Sequence, residues 1–389
     1  MPNAPLIEVP ESALNELRRR IHATRWPRPW PVDGWSAGTE PGELRRLSGY
    51  WADGFDWRTQ EAAINALPSH HADLDGTSVH YLRFDGETTD AVPILLTHGW
   101  PSTFLEEVEL ARRLSCPSRY GADRAPSFTA IVPALPGFPF TPEQQRMPGI
   151  PTHELWHQLM TQLGFTKYLA HGGDLGAGIS ARLAQAHSEA VAGIHLLAVA
   201  DPENQPNLTD DERAYLDQGE RWYTEEGGYE HLQRTRPLSV AYALNDSPVG
   251  LLAWLLEKYH AWTDHTHGAA GLDDDLILTQ TSLYWFTGAI AATFRPYWEH
   301  KTYPPGPVLV TVPTGVAVFP ADLVQPPRSW AERNYNVVHY TRMPHGGHFA
   351  AREQPDLLAE DIRAFTQKLD APIRTLGPAL PHPSRDARG

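Results

Sequence analysis

Cysteine is almost absent from this chain of 389 residues, which contains only Cys116. One thiol cannot form an intramolecular disulfide, and it cannot build a zinc site that needs several thiolates. Long apolar runs are absent too, since none reaches the roughly 18 residues that cross a bilayer. The first residues, 1–11, lack the basic stretch and apolar run of a secretory signal. We therefore expect a soluble cytoplasmic protein.

Positive charge is also scarce. The chain has 32 Lys and Arg against 47 Asp and Glu, a net charge of −15 (32 − 47), and no basic cluster stands out. We therefore expect neither nucleic acid nor a membrane surface as a partner. Proline, in contrast, is abundant at 36 residues, nearly twice its average share of about 5%. Because 41% of the residues are hydrophobic, we expect a sizeable core surrounded by many loops.

Short apolar runs alternate with helical patterns after a predicted hairpin at 71–84. The runs at 92–97, 129–133, 168–171 and 191–197 have strand length. Their alternation with helices predicts an α/β fold, a mostly parallel central sheet with helices on both faces.

A helical stretch rich in Trp and Tyr interrupts this alternation late in the chain. A strand at 308–312 then resumes it, and one long helix at 351–369 ends it. The predicted division is an N-terminal meander that packs on the core and lid at 1–70, the first part of the core at 71–200, an inserted helical lid at 201–300, the second part of the core at 301–370 and a loosely ordered tail at 371–389.

The strongest motif is His-Gly-Gly-Asp-Leu-Gly at 171–176, between a strand and a helical pattern. Glycines around a central reactive residue are typical of a nucleophile elbow, a strained strand-to-helix turn. Asp174 occupies the place of the nucleophile. The alternative is an aspartate that only caps a helix in a glycine-rich turn, and the motif by itself leaves both interpretations open.

A second glycine loop, His-Gly-Trp-Pro at 98–101, directly follows the apolar run at 92–97. In α/β-hydrolases the loop at this place supplies one backbone N–H of an oxyanion hole, and the residue after the nucleophile supplies the other. We therefore predict the N–H groups of Trp100 and Leu175 as the two donors.

The segment Pro-His-Gly-Gly-His-Phe at 344–349 lies between the last predicted strand and helix, where this fold places its base. His345 competes for that role, but His348 follows the glycine pair and precedes the helix. Asp322 follows the strand before it and is predicted to orient the histidine. The order Asp174, Asp322, His348 is nucleophile, acid and base, as in α/β-hydrolases.

A carboxylate nucleophile indicates displacement at an sp³ carbon, which gives an alkyl ester. A neutral His348 would then deprotonate the water that hydrolyses this ester. Suitable leaving groups are a halide or the oxygen of an epoxide, and a tyrosine hydroxyl is suited to protonating the latter.

These motifs, together with ATRWP at 23–27, YWADGFDWRTQEAAINALP at 50–68 and DGTSVHYLRF at 75–84, resemble the microsomal-type epoxide hydrolases, including the juvenile hormone epoxide hydrolases. The resemblance covers roughly residues 5–370. It implies an α/β-hydrolase that converts an epoxide and water to a vicinal diol without a metal or organic cofactor. GYEHLQ at 228–233 and FRPYWE at 294–299 resemble the segments that carry two epoxide-polarising tyrosines, which implies these roles for Tyr229 and Tyr297.

The chain also departs from the family. Leu175 stands where members commonly have Trp, and Asp322 where mammalian members use Glu. We also expect no counterpart of the family's membrane anchor. Substrate preference therefore does not follow from the resemblance. Aromatic residues of the lid suggest a bulky apolar or aromatic epoxide; they are Trp222, Tyr223, Trp254, Trp262, Trp285 and Phe286.

Three alternatives remain at this stage. His-Glu-Leu-Trp-His at 153–157 matches a zinc motif, although its segment is also needed as a helix covering the sheet. A haloalkane or haloacid dehalogenase uses the same Asp/His/Asp machinery, and a non-catalytic binding protein could share the fold. A small-molecule epoxide is the expected partner; a homodimer, and a biosynthetic, catabolic or detoxifying role, are left open.

Overall fold

One mixed sheet runs through the part of the protein described by the computed structural model, residues 5–266 and 272–369. The predicted tail at 371–389 lies outside these residues. The strands are β1 (Ser69–Leu74), β2 (Thr77–Phe84), β3 (Val92–Thr97), β4 (Phe128–Pro133), β5 (Tyr168–Gly172), β6 (Val191–Leu196), β7 (Val310–Val318) and β8 (Tyr335–Arg342).

The strand order is β1-β2-β4-β3-β5-β6-β7-β8. The hairpin β1–β2 joins β4 in antiparallel fashion, whereas all pairs from β4 to β8 are parallel. The carboxyl ends of these parallel strands meet at one edge, where ligands bind in open α/β sheets. The predicted mostly parallel sheet is confirmed.

The helices follow the strands, except that seven consecutive ones separate β6 from β7 among the described residues. They are α1 (Glu11–His22), α2 (Pro41–Asp53), α3 (Trp57–Asn65), α4 (Val108–Ser115), α5 (Thr152–Gln162), α6 (Asp174–Ala186), α7 (Asp210–Glu226), α8 (Gly228–Thr235), α9 (Pro237–Asp246), α10 (Pro248–Ala261), α11 (Asp274–Thr287), α12 (Ile290–Thr293), α13 (Arg295–Thr302), α14 (Arg328–Ala331), α15 (Ala350–Glu353) and α16 (Pro355–Thr366). Across the described ranges, no helix is both long and apolar enough to cross a membrane.

The centre of the sheet is apolar on both faces. Successive side chains of a strand point to opposite faces, and Ile94 and Leu96 of β3 lie in one hydrophobic cluster while Leu95 lies in the other. All three are fully buried. A strand buried on both faces is typical of a parallel sheet covered by two layers of helices.

Two predicted elements have different bounds in the structure. The strand expected at 308–312 is β7, which extends to Val318 because its apolar pattern continues through the buried residues that pair with β8. The single helix expected at 351–369 is divided into α15 and α16 at Gln354. Pro355 has no N–H to continue the hydrogen bonds of α15 and instead begins α16.

The turn between β5 and α6 depends on a close approach of two backbones. A Cβ atom on Gly176 would collide with the carbonyl oxygen of Thr97 at the end of β3, whereas a Cβ on Gly178 would meet nothing within 4 Å. Glycine at 176 therefore allows the first turn of α6 to lie against the end of β3.

We expect Gly176→Ala to lower the free energy of unfolding by at least about 2 kcal/mol, since the backbone must shift to admit the methyl group. Gly178→Ala in the same helix is the control, and should change stability by less than about 1 kcal/mol because alanine favours a helix interior. Urea denaturation would measure both. Equal free energies for the two variants would contradict this account of the turn.

Candidate active site

Asp174 begins α6 in a strained conformation. Its φ angle is 47°, in the left-handed region that non-glycine residues rarely adopt, and such strain is concentrated at functional sites. The N–H of Trp100 donates to Asp174 Oδ1 at 2.8 Å, and the N–H of Leu175 lies close enough to lower the pKa of the carboxyl group. A Cβ on Gly99 would collide with the Asp174 side chain, so glycine is required beside it. The structure thus places both predicted oxyanion-hole donors on the carboxylate.

His348 lies between the two aspartates. Its Nδ1 is 2.7 Å from Asp322 Oδ1, and its Nε2 is 3.8 Å from Asp174 Oδ2. The backbone N–H of His348 donates to the carbonyl oxygen of Trp262 at 2.8 Å. It is therefore His348, and not its competitor His345, that the structure brings into contact with both aspartates.

Asp174 and His348 are both buried, and the charge of each shifts the pKa of the other. Burial raises the pKa of Asp174, although the charge of His348 and the two N–H donors oppose the shift. Burial by itself lowers the pKa of His348, but the charge and hydrogen bond of Asp322, with the charges of Asp174 and Glu106, outweigh it and raise the pKa to about 9. At neutral pH the resting site therefore holds His348 as an imidazolium beside Asp174.

Tyr229 on α8 and Tyr297 on α13 face the same cavity as Asp174. The Tyr229 ring stacks on the indole of Trp100, with centroids 5.2 Å apart and an interplanar angle of 6°, and lies 6.4 Å from the Tyr297 ring. Burial and the negative charge of Asp174 raise the pKa of both phenols, so both hydroxyls stay protonated as donors. The buried hydroxyl of Tyr297 has no hydrogen-bond partner within the described part of the chain.

The cavity that contains these groups has a volume of about 810 Å³, which is sufficient for a small organic molecule. Its wall near Asp174 is apolar and includes Leu175 and Ile179 from α6, with Val199 and Leu323 from neighbouring loops. Of the six lid aromatics named above, Trp222 lines this cavity, and the others are not among its described lining residues. The apolar character of the site thus comes more from aliphatic side chains than from the lid aromatics.

Sequence reasoning missed Glu106. This residue lies in a 3-10 helix, Phe104–Glu107, just after the Trp100 loop, and it lines a small cavity with Asp174 and His348. Burial raises its pKa to about 7, against the opposing effects of a hydrogen bond from Ser102 and the charge of His348. Two adjacent glutamates in an apolar segment directly after an oxyanion loop were the available signal.

The residues of the zinc motif lie on α5, and of its His153, Glu154 and His157 only His153 is among the described residues that line the cavity. Glu154 contacts His187 at 3.1 Å, and the His157 ring stacks on that of His187 at 3.7 Å. Within residues 5–266 and 272–369, no group of three or more His, Cys, Asp or Glu side chains is placed to hold a metal ion.

A mostly parallel sheet, a strained aspartate on a strand-to-helix turn and a histidine bonded to a second carboxylate are together typical of an α/β-hydrolase. Two family models match the chain, the epoxide hydrolase N terminus over residues 3–107 and the alpha/beta hydrolase fold over residues 92–227. The crystal structure of juvenile hormone epoxide hydrolase from Bombyx mori superimposes with a TM-score of 0.84 at 27% identity, covering 93% of each chain. Aspergillus niger epoxide hydrolase gives a TM-score of 0.82 at 29% identity, covering 95% of this chain and 97% of that one.

Sequence relatives specify the family further. A Stigmatella aurantiaca protein named as an epoxide hydrolase is 40% identical over 372 residues, covering 94% of this chain and 84% of the relative. Epoxide hydrolase 1 of Sus scrofa is 32% identical over 403 residues, covering 94% of this chain and 88% of the relative. The chain therefore belongs to the epoxide hydrolase family, and the predictions of the fold and of an epoxide hydrolase are confirmed.

The raised pKa of His348 predicts how stability depends on pH. The folded protein holds this proton more tightly than the unfolded chain, whose histidine titrates near 6.5. The resulting stabilisation is complete below about pH 6.5 and is lost as the pH rises through about 9.

We expect the melting temperature to fall between about pH 7.5 and 9.5, and to fall less in His348→Gln. Thermal denaturation at a series of pH values would measure the melting temperature across this range, with the exposed His231→Gln as the control. If the melting temperature varied with pH in the same way in wild type and His348→Gln, the result would contradict the assignment of this pH dependence to His348.

Proposed function

We propose that the protein converts an apolar epoxide and water to a vicinal diol through an alkyl ester on Asp174. The observation that carries this proposal is that one cavity contains the Asp174 carboxyl group, beside the N–H groups of Trp100 and Leu175, and two tyrosines that their raised pKa values keep protonated. A nucleophile and a proton donor on the same cavity are what the opening of a three-membered ether requires.

In the first step, Asp174 Oδ2 attacks an epoxide carbon while Oδ1 stays bound to the Trp100 N–H. A C–O bond to the carboxylate forms, the epoxide C–O bond breaks, and the released oxygen takes a proton from Tyr229 or Tyr297. Because both phenols have raised pKa values, each hydroxyl is retained for this transfer at neutral pH. The product is a hydroxyalkyl ester and a tyrosinate.

Esterification removes the negative charge of Asp174, which is one of the causes of the raised pKa of His348. The pKa of His348 therefore falls, and the imidazolium releases its proton to solvent. Solvent in turn returns a proton to the tyrosinate. Neutral His348, oriented by Asp322, then takes a proton from a water that attacks Cγ of the ester. The oxyanion that forms on Oδ1 is stabilised by the N–H groups of Trp100 and Leu175.

Collapse of this tetrahedral intermediate expels the diol, whose leaving oxygen takes the proton from His348. The new carboxylic acid of Asp174 then protonates His348 and restores the resting ion pair. All proton transfers use side chains of this chain and water, so the proposed reaction needs no metal or organic cofactor. In this scheme the helices from α7 to α13 act as the lid, because α8 and α13 carry the two tyrosines.

The two halves of the reaction are expected to separate by mutation. Asp174→Ala should abolish turnover, because it removes the carboxylate oxygen that attacks the epoxide carbon. His348→Gln should form the ester but hydrolyse it at least about 100-fold more slowly, so the intact protein should gain the mass of the epoxide. Mass spectrometry after mixing with styrene oxide would detect this adduct.

A single turnover of wild type in ¹⁸O-labelled water provides the matching control. The ester mechanism places ¹⁸O in Asp174, whereas direct attack of water on the epoxide would leave this residue unlabelled and contradict the proposal. Halide release from haloalkanes, measured beside diol formation, tests the dehalogenase alternative.

The tyrosines should act on the first step only. Tyr229→Phe and Tyr297→Phe should each slow ester formation about 10- to 100-fold, since each removes a hydrogen bond to a developing charge. Ester decay should change by less than about threefold. Rapid quenching with mass detection separates the two rates, and the exposed Tyr242→Phe is the matched control. An equal effect on both rates would mean that the tyrosines support the structure of the site and do not act as proton donors in the first step.

A further inference from the structure

A second, very small cavity lies behind the nucleophile. Asp174, His348 and Glu106 line it together with Gly99 and Phe349, and its volume is about 10 Å³. This is close to the smallest volume that holds one water molecule, and such a water needs at least two polar partners. The carboxyl and imidazole groups in the wall provide them.

A water that attacks an ester has strict geometric requirements. One lone pair must point at Cγ of Asp174, so both O–H bonds must point elsewhere and find acceptors. Neutral His348 Nε2 accepts the proton that is transferred. The second O–H needs another acceptor in the same small space, and the mechanism described so far supplies none.

Glu106 is placed on a firm support beside this space. Its N–H donates to the carbonyl oxygen of Thr103 at 3.0 Å, and the Thr103 hydroxyl donates to Gln280 of α11 at 2.6 Å. The preceding Phe104 is fully buried. The carboxyl group therefore extends from a segment that is fixed to both the core and the lid.

Glu107 also lines the small cavity, but its surroundings differ. The charges of His348 and Asp174 both act on Glu106, whereas Glu107 responds to its own burial and to the charge of Glu106. Of the two carboxyl groups, Glu106 is therefore the one that is electrostatically coupled to the reacting pair.

We propose that Glu106 accepts a hydrogen bond from the hydrolytic water in this cavity and thereby directs the water's lone pair at Cγ of Asp174. This inference rests on the proposed ester mechanism. It makes Glu106 a further catalytic residue, one that acts in ester hydrolysis and not in ester formation. It also explains why a carboxyl group is kept in a site that already contains two negative aspartates.

The test compares Glu106→Gln and Glu106→Met by rapid quenching and mass detection with styrene oxide, over about pH 6 to 10. Ester formation should stay within about threefold of wild type. Ester decay at its high-pH plateau should fall on the order of 10- to 100-fold in Glu106→Met, which has no acceptor. The fall should be smaller in Glu106→Gln, whose amide oxygen still accepts. Glu109→Gln, which removes a charge from the adjacent helix α4, is the control, and melting temperatures verify folding.

Two results would overturn the role of Glu106. A plateau equal to that of wild type, with only a shifted midpoint of the pH profile, would mean that Glu106 acts on His348 through its charge alone. An equal loss in both steps would mean that it supports the fold. Failure of the ester mechanism itself looks different, because Asp174→Ala would then stay active and no variant, including His348→Gln, would accumulate an ester.

Discussion

The burial of the Asp174 carboxylate is the constraint on which the site depends. A buried charge is unfavourable unless hydrogen bonds and an opposite charge compensate it. Here the N–H groups of Trp100 and Leu175 and the imidazolium of His348 provide that compensation. On the proposed mechanism the same partners later stabilise the oxyanion and deprotonate water. The groups that make the resting state stable are thus the groups that the reaction uses.

Trp100 and its loop connect Asp174 to the helices between β6 and β7, which form the proposed lid. The backbone of Trp100 binds Asp174, while its indole ring stacks on Tyr229. Two further lid tyrosines donate to carbonyl oxygens of the same loop, Tyr259 to Pro101 and Tyr284 to Ser102, each at 2.9 Å. The lid is therefore hydrogen-bonded to the oxyanion loop, which fixes the proposed proton donors relative to the nucleophile.

Those parts of the fold and site that are encoded by adjacent residues could be predicted from the sequence. The parallel strands have continuous apolar runs, and the turn at Asp174 has its glycines next to it. Glu106 could not be assigned in this way, because its burial is created by residues distant in the chain. The extension of β7 was missed because its pairing with β8 is a tertiary feature, whereas the break at Gln354 had a local signal in Pro355. Likewise, which lid aromatics face the cavity depends on how the helices pack.

The charge balance of the site also imposes an order on the proposed chemistry. The charge and hydrogen bond of Asp322, with the charges of Asp174 and Glu106, keep His348 protonated up to about pH 9, and a protonated imidazole cannot accept a proton from water. On the proposed mechanism, esterification removes the Asp174 charge and so lowers the pKa of His348, which makes the imidazole a better proton acceptor in the alkylated state. The first step thus prepares the second by electrostatics.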